Sequence, residues 1–452
     1  MPFEYTSIGD ILAVHAQLSK SFGDRKTMPL EFRRTQLLQL GRLFQDNSEI
    51  LTAALNSDLG RHKLEISLPE IGPIVSGAVR AAASLEDWNK PEKPEVEDWR
   101  SSWDTTIYTC PKGVVLIIGP WNYPYVTTML PLIGAIAAGC TCIVKPSELN
   151  PACAQLLAEL FPKYLDAAVY RIINGAASET TSLLELKWHH IFFTGSGRVG
   201  RIVAAAAVKN VTPLTLELGS KSPVFIDANN TDINLAAKRI LWGKQQNAGQ
   251  VVLHFWPHPN GALDPASEIG AILNPHHHAR LLDLLSRTQG DIVHGGKSEG
   301  TRRIEPTLVA NVTLKDCLME DEIFGPIIPI VPVDDVQHAI QIIGGRSTPL
   351  VIYVFTENEA IKKEFLDSTR SGTLVLNDTF SQLGVHEMPF GGQGESGYGS
   401  YLGKFSFNTF VHRRSYINVP PEQPFLECRY PPYTEEAFQA LSAPANIKIP
   451  DH

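Results

Sequence analysis

The stretch HHIFFTGSGRVG, His189 to Gly200, sets an apolar run against a glycine-rich turn and the start of a helical pattern. Gly195, Gly197 and Gly200 form a G-x-G-x-x-G, the spacing at which a strand hands over to a helix whose free N–H groups can face a pyrophosphate. Alone the match is weak, because such a turn can also be purely structural. Its surroundings supply the context. GVVLIIGP from Gly113, CTCIVKPSE from Cys140 and VYRIING from Val169 are further short apolar runs alternating with helical stretches. That alternation implies a parallel sheet of βαβ units. A second alternation, from LTLELGSKSPVFI to SGTLVLND, points to a second α/β domain. Residues 7 to 89 read as helical, with apolar residues three and four apart and Gly60 in the usual place after a helix end. WNKPEKPEVEDWRSSWDTTIYTCPKG then interrupts with three prolines and alternates like an exposed strand pair.

Bulk properties narrow the classes. A chain of 452 residues exceeds one ordinary core, and 43% hydrophobic with 19% charged residues is the balance of a globular protein. A net charge of -9 argues against a nucleic-acid surface. MPFEYTSIGD has no basic region followed by an apolar core, so no secretory signal is expected, and NIKIPDH resembles no lipid signal. The longest apolar run, LPLIGAIAAGCTCIV (Leu130–Val144), is broken by Pro131, Gly134 and Gly139. It is too short to span a bilayer and reads as a buried helix followed by a strand. Six cysteines show no framework spacing, and Cys140 and Cys142 share one sheet face, which points to a reducing compartment, most simply the cytosol. NPHHHARLL carries His276, His277 and His278, but consecutive helical residues point about a hundred degrees apart and cannot converge on one ion. A solvated helix start is expected there, and no metal.

A dinucleotide fingerprint next needs an acidic residue about twenty positions on, to hold the ribose. Glu217 lies near that distance, inside LTLELGSK. CIVKPSE offers a rival site, because Lys145 and Glu148 emerge together at the carboxyl end of an earlier strand, where open α/β sheets bind ligands.

Eight motifs stand in one order over nearly the whole chain: GPWNYP (Gly119–Pro124), KPSE (Lys145–Glu148), FTGS (Phe193–Ser196), LELGSKSP (Leu216–Pro223), EIFGP (Glu322–Pro326), MPFGGQGESGYGSY (Met388–Tyr401), HRRS (His412–Ser415) and RYPPY (Arg429–Tyr433). In them the chain resembles the aldehyde dehydrogenase superfamily, in its shorter, class 3 type branch. The resemblance implies an α/β fold with a Rossmann-like cofactor domain at 1–212, including a strand arm at 90–110. It implies a second α/β catalytic domain at 213–384, and a return at 385–452 with a dimerisation strand and tail. It implies NAD+ as cofactor, with NADP+ as the alternative, a small-molecule aldehyde as substrate, and a homodimer without nucleic-acid or membrane partners. In such enzymes a thiolate attacks the aldehyde, hydride passes to the cofactor, and a glutamate activates water to release the acid. Asn122 matches the amide donor to the oxyanion and Glu217 the general base, which displaces its ribose role. Lys145 and Glu148 match the adenosine-ribose contacts, with Trp121, Gly195 and Ser196 beside the cofactor. Glu322 and Phe324 match the residues at the nicotinamide ribose and ring. A biosynthetic and a detoxifying role stay equally open.

One stretch departs from that pattern: KQQNAGQVVLHFWPHPNG, Lys244 to Gly261. The family's cysteine follows its NAGQ element by two positions, and here Val252 stands there. His254 is the nearby nitrogen, where the register is already lost. The EIGAILNPHHHARLL segment follows almost at once, so roughly thirty residues of strand and helix are missing relative to the family. Such a loss should remove a strand from the catalytic sheet. Ser220 also replaces the second glycine of the family's LELGGK, and is expected to crowd a close backbone approach. Three readings follow: a pseudoenzyme that keeps the fold and binds dinucleotide, an active dehydrogenase whose full transcript carries the segment, and a structural subunit using the dimer surface.

Overall fold

Five short apolar runs build the central sheet of the computed structural model, which describes residues 3–250, 263, 269–442 and 447–450. Val114–Ile118, Thr141–Lys145, Tyr170–Ile172, His190–Gly195 and Leu214–Leu218 run parallel. Alternate side chains feed two different cores. Val115, Ile117, Cys142, Val144 and Phe192 pack on one face with the helix Val126–Ala138. Val114, Leu116, Ile143, Ile191 and Phe193 pack on the other with Ile11, Leu18 and Val203. Burial on both faces is why these strands read as unbroken apolar runs.

The chain moves outward from Val114–Ile118 through Thr141–Lys145 to Tyr170–Ile172. It then crosses back to place His190–Gly195 on the opposite side of the first strand. That reversal opens a crevice at the carboxyl ends of Val114–Ile118 and His190–Gly195. Leu214–Leu218 extends the same ladder, so the expected boundary at 212 and 213 cuts through a continuous sheet. Gly397–Tyr398 closes it as an antiparallel edge, with Gly397 opposite Glu217.

The helical start is as expected from its periodicity. Ser7 Oγ caps Ile8–Gly23 by accepting from Asp10 N at 3.1 Å. Ser48–Leu59 ends at Gly60, whose φ of 64° is the left-handed closure its position implied. The long apolar run resolves into the buried helix Val126–Ala138 and the buried strand Thr141–Lys145. Gly134 is required in that helix: a Cβ there would lie 2.5 Å from the Ser406 backbone of the helix Gly403–Phe410. No helix among the described residues is long and apolar enough to cross a membrane.

Two smaller sheets follow. Val224–Ile226, Val351–Phe355 and Thr373–Leu376 are parallel, with Val351–Phe355 in the middle. Asp291–His294, Thr307–Ala310 and Ile327–Pro329 form the other. The strand expected to be lost falls after 252, and Val252 itself lies outside the described residues.

The chain forms two compact units, Met1–Trp88 with Pro111–Val411, and Asn89–Cys110 with His412–His452. In the second, the expected exposed strand pairs with a segment distant in the chain. Asp104–Pro111 pairs with Val411–Asn418, and the proline-rich segment contributes a single bridge, Glu92 to Ile107. Prolines that cannot donate to a ladder explain why that segment stays out of it. Trp103 Nε1 donates to Gln423 Oε1 at 3.0 Å, and Tyr108 meets Tyr416 edge to face.

Gly397 has a φ of 121°, and a Cβ there would lie 1.9 Å from Leu216 O. Gly397→Ala is therefore expected to destabilise the protein by about 2 kcal/mol or more. An unchanged melting temperature would contradict this account of the edge strand.

Candidate active site

The carboxyl edge of the central sheet gathers most of the residues singled out by motif. Lys145 ends its strand almost wholly buried, and its Nζ donates to Pro146 O at 2.8 Å and Glu148 Oε2 at 3.1 Å. Burial pulls the Lys145 pKa below its ordinary value, and the Glu148 carboxylate pulls back. Gly195 ends the next-but-one strand, and Ser196 caps the helix Gly197–Val208 with a long 3.4 Å bond from Val199 N. A Cβ at Gly200 would lie 2.6 Å from Leu218 Cδ2, so the third glycine lets helix and sheet approach closely. Thr194 Oγ1, one residue before Gly195, is buried without a hydrogen-bond partner. Trp121, in the loop after Val114–Ile118, lies 5.8 Å from the Phe324 ring and 5.5 Å from His277. Phe324 holds a φ of 48°, a strained conformation costing about 1–3 kcal/mol that tertiary contacts must offset.

Asn122 sits in an interlock. Its Nδ2 donates to Gln250 O at 3.3 Å, and Asn247 Nδ2 donates back to Asn122 O at 2.9 Å. Asn247, Ala248 and Gly249 have φ of 55°, 54° and 71°, a run of left-handed residues immediately before Gln250. Buried Gln250 pins this turn. Its Nε2 donates to Asn247 O and Ala271 O, each at 3.0 Å, and its Oε1 accepts from Leu273 N at 2.8 Å. The NAGQ element is thus a built turn, held at Gln250.

An ion pair absent from the motif reading braces the same loop. Arg61 and Glu70 are fully buried and 2.8 Å apart. The second oxygen of Glu70 accepts from Tyr125 N at 3.1 Å and Val126 N at 2.8 Å, at the start of the helix that follows Asn122. Arg61 also lies 4.5 Å over the Tyr123 ring, while Glu65 accepts from Asn247 N at 3.2 Å.

Glu217 occupies the strand end facing Gly397, and burial alone raises its pKa to about 7. Glu322 lies against the loop after that strand: a Cβ at Gly219 would lie 2.2 Å from Glu322 Oε2. Burial raises the Glu322 pKa to about 8, against the pull of Lys221 and Lys244 and with the push of Glu217. The close approach therefore falls at Gly219. Ser220 does not crowd the site as expected, because its Oγ turns to accept from Leu350 N at 2.7 Å. The solvated histidine run is also only partly so: His276 is exposed, but His278 is buried with its Nε2 3.1 Å from Arg303 O. Among the described residues no three such side chains group as metal ligands.

Sequence reasoning missed Arg61, Glu70 and Lys244. Lys244 carried a signal, since it continues the buried stripe Ala236, Ile240 at four-residue spacing. Arg61 and Glu70 carried none, because two charged residues beside a helix break read as surface.

The chain matches the model of the aldehyde dehydrogenase family over residues 8–254 and 258–416. A rat protein, "Aldehyde dehydrogenase, dimeric NADP-preferring", is 37% identical over 459 residues, covering 96% of this chain and 97% of that protein. "Aldehyde dehydrogenase family 3 member A2" of Pongo abelii is 39% identical over 448 residues, covering 93% and 90%. The substrate-bound structure of Staphylococcus aureus AldH matches with a TM-score of 0.90 at 36% identity, covering 96% of this chain and 99% of that one. The rat alignment is longer than the 452 residues of this chain, so it includes positions that this chain lacks.

Arg61→Met leaves the buried Glu70 carboxylate without its counter-charge, and is expected to cost about 3–5 kcal/mol. Urea unfolding with an unchanged midpoint would show that the brace carries no stability.

Proposed function

The chain belongs to the aldehyde dehydrogenase family, and we propose that it binds an aldehyde and a nicotinamide dinucleotide and oxidises the aldehyde to the carboxylic acid. The observation that carries this reading is Glu217, a buried carboxylate with its pKa raised to about 7, on the same sheet edge as the Asn122 loop and the fingerprint helix. A group titrating near neutrality suits general-base work. Without a thiol at Val252, Glu217 takes a proton from water as the water oxygen bonds to the carbonyl carbon. The carbonyl π bond becomes an oxyanion, and the Asn122 amide donates to it. When bound, the nicotinamide is the two-electron acceptor.

The carboxyl edge fits a dinucleotide. The helix Gly197–Val208 starts there with loosely capped N–H groups, Gly200 permits close packing, and Lys145 with Glu148 stands two strands along. Glu148 favours NAD+, since a carboxylate at the ribose repels a 2′-phosphate. The rat relative's name marks that protein as NADP-preferring, which makes the choice worth measuring. Homodimerisation through the almost wholly exposed strand Val411–Asn418 and a cytosolic location belong to the same proposal.

A second reading rests on Val252. Loss of a nucleophile typically costs about three or more orders of magnitude in rate, so the protein then binds dinucleotide with little turnover. Sequencing the transcript across the Val251–Val252 codons distinguishes both from a longer, cysteine-bearing product.

Slow NADH formation from benzaldehyde is expected, rising as pH passes upward through about 7 because only the ionised Glu217 accepts a proton. Glu217→Gln should remove it. Turnover that survives this substitution, or falls with pH over that range, sinks the base assignment. Calorimetry tests the cofactor site separately: Glu148→Ala should weaken NAD+ binding relative to NADP+. Equal isotherms for variant and wild type would take Glu148 out of the site.

A further inference from the structure

Residues 318–324 meet the end of the strand Leu214–Leu218 at Gly219, and three of their backbone carbonyls are held by cationic side chains. Leu318 O accepts from Lys221 Nζ at 2.6 Å, Met319 O from Arg346 Nη2, and Ile323 O from Arg280 Nη2 at 2.6 Å. Arg280 stands on the helix Pro275–Arg287. Its bond falls at the strained residue. Phe324 has a φ of 48°, the rotation about its N–Cα bond, and Ile323 O lies in the peptide plane that this rotation orients. A flip of that plane would relieve the strain. The guanidinium on its oxygen opposes the flip, because a charge-assisted hydrogen bond is comparable in size with the strain. Packing closes on the same point: a Cβ at Gly325 would lie 2.4 Å from Leu281 Cδ2, beside Arg280 in the chain. Held this way, the Phe324 ring lies 5.8 Å from Trp121, and the Glu322 carboxylate accepts from Ser220 N beside Gly219.

We propose that Arg280 is a positioning residue for the nicotinamide end of the dinucleotide, acting through Phe324 and Glu322. Strand order gives the direction. Lys145 and Glu148 follow one strand, the fingerprint helix follows His190–Gly195 two strands along, and Gly219 follows the next strand on the same side. A dinucleotide with its adenosine ribose at the first and its pyrophosphate at the second extends its far end toward the third. There the Glu322 carboxylate can accept from ribose hydroxyls, and aromatic faces at Phe324 and Trp121 attract a cationic ring. The inference rests on the dinucleotide reading above and adds the group that fixes the far end of the site.

Calorimetry on the full-length protein tests it with two ligands, NAD+ and ADP, which lacks the nicotinamide riboside. Arg280→Met should weaken NAD+ binding about tenfold and leave ADP within about twofold. Arg280→Lys, which keeps a cationic donor, should recover most of the loss. In a Phe324→Ala background, Arg280→Met should change NAD+ binding by less than about twofold, because the residue it acts through is gone. An equal loss for both ligands, no loss for NAD+, or a full loss in the Phe324→Ala background overturns the proposal. A crystal structure of the unsubstituted protein with NAD+ serves if the variants do not fold. Arg280 should stay on Ile323 O with the nicotinamide ring against Phe324, and a ring lying elsewhere overturns the proposal as well. Failure of the unsubstituted protein to bind either ligand removes the dinucleotide reading and this proposal together. Binding of both ligands with NAD+ indifferent to Arg280 removes this proposal alone.

Discussion

Three consecutive residues in the left-handed region, Asn247 to Gly249, cannot persist unless their surroundings hold them, because each non-glycine member costs about 1–3 kcal/mol. The hold is Gln250, whose amide is saturated by Asn247, Ala271 and Leu273. That turn in turn fixes Asn122 through two hydrogen bonds, one donated by Asn122 Nδ2 and one accepted by its carbonyl oxygen. The Arg61–Glu70 pair fixes the other side of the same loop through the first N–H groups of the following helix. The candidate site therefore depends on buried polar groups that satisfy one another, a network worth more than its separate bonds and vulnerable as a whole.

Desolvation dominates the electrostatics. It is the largest cause of the shifts at Glu217, Glu322, Lys145, Lys221 and Lys244, and in each case it favours the neutral form. The Glu217 and Glu322 carboxyls are pushed up to about 7 and 8 and the Lys221 and Lys244 amines down to about 8 and 7, while Lys145 is lowered against the pull of Glu148.

Much of the architecture was legible. The alternation of short apolar runs with helical patterns implied the parallel sheet, because strands buried on both faces have no polar alternation to show. Gly60 and the glycines of the fingerprint announced their turns through residue type. The motif residues Trp121, Lys145, Glu148, Gly195 and Ser196 come together at one sheet edge. Elsewhere local pattern misled. The alternating stretch after Trp88 read as an exposed strand pair, but the strand it pairs with begins about three hundred residues on, and residue pattern alone carries no trace of pairing over that separation. Ser220 looked like an intrusion until its Oγ met Leu350 N.

Sequence alone determined the family, the sheet, the glycine turns and the valine at 252, because each follows from residue type or short-range spacing. Only the tertiary structure decided what the charges do. Arg61 and Glu70 are surface-type residues nine apart, and nothing short of the folded loop shows them as a buried pair around Tyr125 and Val126. Glu217 is one glutamate among many until helices and the Gly397 edge exclude water from it, and Lys244 becomes a neutral-range amine for the same reason. Ionisation in a protein is set by what surrounds a group in space, and those surroundings are assembled from segments far apart in the chain.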